Sequence, residues 1–99
     1  MAENLNYDSL FELIERLTTP ITKQIEKIMP SVNESIENII NNNITSSRAI
    51  ERVLDQLLDY TTLGFGGQEF KRLNQYYSSI NKENAAFYEK EFNQLENYE

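Results

Sequence analysis

Three carboxylates, Glu51, Asp55 and Asp59, follow one another at intervals of four residues, a spacing that lines them along one face of a helix. Acidic side chains so arranged can share a proton or hold a divalent cation through hard oxygen ligands. Arg48 and Arg52 border the same line, and no second segment offers the further ligands that a cation needs. The stripe therefore reads as a solvated charged face, with Arg52 and Asp55 as an i,i+3 ion pair.

A second candidate is the loop Leu63-Gly64-Phe65-Gly66-Gly67, which holds all the glycine in the chain. Backbone N–H groups in the first turn of a helix attract anions, and glycine lets a phosphate come close. The loop lacks the GxxxxGK[ST] spacing and has no lysine, and Glu69 would stand beside the anion and repel it. It reads as a helix C-cap followed by a turn.

A third is the trio Lys71, Arg72 and Tyr76, a basic and aromatic strip on the helix after that loop. Joined by a short turn to the preceding helix, it suggests a dimeric helix-turn-helix DNA-binding regulator. Two cations are few for the phosphate contacts such recognition requires. With 16 acidic against nine basic residues, the net charge of −7 also disfavours nucleic acid and anionic membrane surfaces.

The remaining chemistry is bounded by what is missing. There is no histidine and no cysteine. That removes the commonest general base, the commonest transition-metal ligand, the thiolate nucleophile and any disulfide. No metal or cofactor is expected, and no catalytic residue. No window reaches the ~18 apolar residues of a membrane span, and residues 1–10 carry no basic-then-apolar signal, so a cytoplasmic protein is expected.

The elements that position these residues are helical throughout. In 46–62, Ala49, Ile50, Val53, Leu54, Leu57, Leu58, Tyr60 and Thr61 occupy one half of a helical wheel and the charged residues fill the other. So wide a dry face makes this the central helix of a small all-α bundle of four to five helices, one domain over 1–99 with 1–7 frayed. Ser46 caps its start and Gly64 closes its end.

Before it, Ser9 to Glu12 forms a capping box, and Leu10, Leu13, Ile14, Leu17, Ile21, Ile25 and Ile28 share one face. Their phase runs through Pro20, which predicts a helix over about 8–29, kinked or broken at that proline. Met29-Pro30 then ends it. Ser31 to Glu34 is a second capping box, for a short helix bearing Val32, Ile36, Ile39 and Ile40, stopped by Asn41-Asn42-Asn43.

After Gly64 the composition shifts, since eight of the eleven aromatic residues lie beyond it. Phe70, Leu73, Tyr77 and Ile80 form one stripe over 68–79. Ala85, Tyr88, Phe92 and Leu95 form another over 82–97, capped by Asn81. This is an aromatic helical hairpin.

Phe87 lies off the second stripe, with Tyr98 beside it. Either this face meets a partner or the helix is sandwiched and Phe87 is core. Exposed rings are favoured anchors of interfaces. The apolar share of the chain, 39%, falls short of ordinary globular chains even with glycine counted. Together these point to a protein partner, itself included, as a homo-oligomer. The expectation is a non-catalytic interaction module of inhibitor, immunity or assembly-adaptor type, binding through Phe87, Tyr98, Phe65 and Tyr76.

Overall fold

The computed structural model describes the backbone over 7–96 and the side chains over 21–95. Four helices follow in order: α1 (Tyr7–Asn41), α2 (Ser47–Thr61), α3 (Gly67–Ser78) and α4 (Lys82–Glu96). Strands are absent among the described residues. The C-terminal part of α1 packs on α2 and α3, α2 packs on α3 and α4, and α3 pairs with α4 as the expected hairpin. The core is formed by Val32, Ile36 and Ile39 of α1, Ile50, Val53, Leu54 and Leu57 of α2, Phe70, Leu73 and Tyr77 of α3, and Ala85, Tyr88 and Phe92 of α4.

The helix expected to end at Met29-Pro30 does not end there. α1 runs unbroken through Pro20 and Pro30 to Asn41, so five expected segments are four. An interior proline loses one backbone bond and costs ~3 kcal/mol. Val32, Ile36 and Ile39 are buried in phase with Ile25. Each such side chain contributes about 1.5–3 kcal/mol on burial, so a break that turned two of them outward would cost more than the proline does. Ser31 and Glu34 therefore lie inside a helix and cap nothing. The Ser9 box lies outside the described side chains, two residues inside a helix that begins at Tyr7.

The turns are tight and well specified. At the end of α1, the N–H of Ile44 donates to the Ile39 carbonyl (2.9 Å) and that of Asn43 to Ile40 (3.3 Å). Asn43 sits at φ +52°. This is a Schellman cap, with asparagine in the left-handed position and Ile44 returned to the core beside Ile39. The end of α2 repeats it: Phe65 N–H donates to Tyr60 (3.0 Å), Gly64 N–H to Thr61 (3.1 Å), and Gly64 has φ +88°. The starts of α2 and α4 are capped as expected. Ser46 Oγ accepts from Ala49 N–H (3.2 Å), and Asn81 Oδ1 accepts from Asn84 N–H (3.0 Å).

Gly66 is required for a different reason. It holds φ +83° at the N-cap of α3, and a Cβ there would stand 3.0 Å from Leu57 Cδ2. Glycine lets α3 start directly against α2.

Candidate interaction surface

The aromatic hairpin owes its order to a seam between α2 and the two helices that follow. Tyr77 and Tyr88 are buried, and a buried phenol needs a hydrogen-bond partner. Both find theirs on the acidic line of α2. Tyr88 Oη donates to Asp55 Oδ1 (2.8 Å), and Tyr77 Oη donates to Glu51 Oε2. Asn84 Nδ2 adds a second donor to Glu51 (3.0 Å).

This changes the reading of the stripe. Glu51 and Asp55 are not idle solvated charges; they receive the phenols of α3 and α4. Among the described residues no ion pair joins Arg52 to Asp55, and no group of acidic residues is placed to hold a metal ion. The chemical consequence is a locked tyrosine. Burial, then the hydrogen bond to the Asp55 carboxylate, push the Tyr88 hydroxyl well above its ordinary pKa of 10.0.

Phe87 is fixed on the outside of this arrangement. With Ala85, Tyr88 and Phe92 turned inward, the helical period directs Phe87 to solvent, and it is 58% exposed. The sandwiched alternative is thereby set aside within the chain. Its ring stands edge-on to Tyr88, with centroids 5.7 Å apart and planes at 88°. The outer ring rests on an inner one that is hydrogen-bonded to Asp55.

The other expected contact residues are placed differently. Tyr76 is half-buried and its hydroxyl donates to the Ile44 carbonyl (2.7 Å), tying α3 to the turn after α1. Phe65 is half-buried at the residue of the α2 cap that commonly folds back on the helix, here toward Tyr60. Tyr98 lies outside the described residues. Phe87, Phe65 and Tyr76 make no ring contact with one another.

The basic pair also has partners inside the chain. Arg72 donates to Glu37 of α1 in an exposed ion pair, which lowers the Glu37 carboxyl below its ordinary 4.5. Lys71 Nζ lies 5.5 Å from the centroid of the Phe92 ring, and that ring stacks on Phe70 at 4.7 Å.

Sequence reasoning missed a groove of about 410 Å³ on the outer side of the hairpin, lined by Lys71, Asn74, Lys82, Ala85, Ala86 and Phe92 among others. Asn74 is buried at its floor. Its Nδ2 donates to the Ala85 carbonyl (2.9 Å), while Oδ1 has no donor within the protein. The spacing gave one sign of this, since Asn74 directly follows core Leu73 in a helix whose inner face is otherwise apolar.

No known family, characterised protein or solved structure matches this chain. No described helix is long and apolar enough to cross a membrane.

Proposed function

We propose that the chain is a non-catalytic protein-binding module of the inhibitor, immunity or assembly-adaptor kind, cytoplasmic and self-associating, whose partner surface centres on Phe87. The observation that carries this reading is the Phe87 ring, exposed on a short, well-packed helix and backed by Tyr88. A rigid aromatic that loses little side-chain freedom on contact is what a binding hot spot requires. In this reading Tyr98, Phe65 and Tyr76 are further contact residues, proposed from the sequence alone. The non-catalytic part is supported by the acidic seam, where the carboxylates best placed to act as a base are engaged by phenols.

The DNA-binding alternative through Lys71 and Arg72 gains nothing from the geometry. Arg72 is paired with Glu37, and Lys71 lies over Phe92.

The test is affinity capture from the native host with the parent chain and with Phe87→Ala. A partner bound by the parent and lost at least about tenfold by the variant, whose melting temperature is unchanged, supports the module. Equal recovery by both chains, or none by either, counts against it.

A further inference from the structure

Phe87 stands in a frame of carboxylates. Glu83 and Glu91 lie one turn before it and one turn after it on α4, at i−4 and i+4, so both flank the exposed ring. Glu83 is exposed and Glu91 half-buried, and neither is hydrogen-bonded or ion-paired among the described residues.

Toward α2 the frame is completed by hydrogen bonds. Asn84, at i−3 from Phe87, donates to Glu51 Oε2 (3.0 Å). Tyr88, whose ring centroid is 5.7 Å from that of Phe87, donates to Asp55 Oδ1 (2.8 Å). Both hydrogen bonds to Glu51 are made to Oε2 and the one to Asp55 to Oδ1, so each carboxylate keeps an oxygen for a donor from outside. Asp55 is exposed and Glu51 half-buried.

Such a surface fits a cation. The face of an aromatic ring attracts a guanidinium or ammonium group, and carboxylates beside it take the N–H donors in charge-assisted bonds. Glu51 and Asp55 are already held by Tyr77, Asn84 and Tyr88, so they lose little further freedom on contact.

Charge decides among the occupants. Against the four carboxylates stand two cations, Lys90 at i+3 from Phe87 and Arg52 one turn before Asp55, which leaves the surface net negative. A two-fold pairing of two copies lays this surface on itself and sets carboxylates against carboxylates. Nucleic acid and anionic lipid are repelled in the same way. A basic protein segment is attracted.

We infer that the Phe87 surface receives a basic protein segment, which lays an arginine or lysine on the Phe87 ring and turns further N–H donors to the carboxylates around it. This rests on the binding role proposed above and names the class of its partner; self-association then uses another face.

The probe is the peptide acetyl-RLRLR-amide, with acetyl-ELELE-amide as its counterpart, each titrated into the full chain while amide and aromatic resonances are followed by NMR. At about 20 mM salt the basic peptide alone shifts Phe87, its neighbours over 83–91, and Glu51 and Asp55. Phe87→Ala weakens its binding at least about fivefold. Glu83→Gln with Glu91→Gln weakens it at least about threefold and flattens its loss between about 20 and 150 mM salt. Glu26→Gln with Glu34→Gln, which removes the same charge from α1, stays within about twofold of the parent.

No saturable shift at up to about 10 mM basic peptide overturns the inference, as do shifts spread over the whole surface. So does equal weakening by the two double variants, or a Phe87→Ala chain that binds as the parent does. In the capture experiment above, a partner lost by Phe87→Ala but kept by the doubly neutralised α4 variant leaves the binding module standing and overturns its basic partner.

Discussion

The hydroxyl of Tyr88 donates to the carboxylate of Asp55 at 2.8 Å, across the contact between α4 and α2. The same tyrosine carries the exposed ring of Phe87 on its edge. One hydrogen bond thus links the acidic line of the central helix to the surface proposed for binding. Removing it with Tyr88→Phe deletes a bond to a charged acceptor while keeping the buried ring, and a loss of about 1.5–3 kcal/mol in urea unfolding is expected. The cycle with Asp55→Ala should be non-additive, since the two substitutions remove the same bond.

The same residue should weaken stability at alkaline pH. Tyr88 in the fold holds its proton above the ordinary value of 10.0, chiefly through burial and secondly through Asp55. Below that pH both folded and unfolded chains are protonated, and the contribution is fully present. Above it the unfolded chain loses the proton first, so unfolding is favoured increasingly as pH rises toward the raised value. A thermal melt series from pH 8 to 11 should show Tyr88→Phe losing less stability over that range than the parent.

Glu37 gives the opposite sign at the acid end. Its carboxyl is lowered below 4.5, first by the hydrogen bond from Arg72. The stabilisation is present above the ordinary value and is lost as pH falls through the depressed one. Both side chains are about half exposed, so the pair contributes little. Glu37→Gln should match the parent closely at pH 7 and show a slightly smaller loss of melting temperature between pH 5 and pH 3.

The two left-handed glycines should differ in cost. Gly64→Ala meets open space and carries only the penalty of its positive φ, about 1–2 kcal/mol. Gly66→Ala adds a Cβ at 3.0 Å from Leu57 Cδ2, a fully buried side chain that must give way. Denaturant midpoints should therefore fall further for Gly66→Ala. Equal midpoints would show that Leu57 yields freely.

The contrast between local and non-local signals explains what the sequence disclosed. The spans of α2, α3 and α4 were legible to within a residue because Ser46, Gly64 and Asn81 act within their own helices. Pro30 misled, because the residues that overrule it are held by packing on other elements. The acidic stripe misled for the same reason. A helical wheel displays one helix, and Glu51 and Asp55 find their partners on two others. The usable sign was chemical: Tyr77 and Tyr88 sat on stripes assigned to the core, their hydroxyls required acceptors, and the neighbouring acidic line was the supply.

Two phenylalanines on α4 separate binding from stability. Phe92 is buried and stacked on Phe70, with Lys71 over its outer face. Truncating such a ring leaves a cavity, and Phe92→Ala should cost about 3–5 kcal/mol. Phe87 lies five residues earlier and is mostly in water, so Phe87→Ala should change folding stability by no more than about 0.5 kcal/mol. The sign could even favour the variant slightly, because alanine is the better helix former. Circular dichroism melts of the two variants side by side give the answer. A Phe87→Ala loss approaching that of Phe92→Ala would mean that the outer ring stabilises the fold itself, and the case for an unspent binding residue at that position would fail with it.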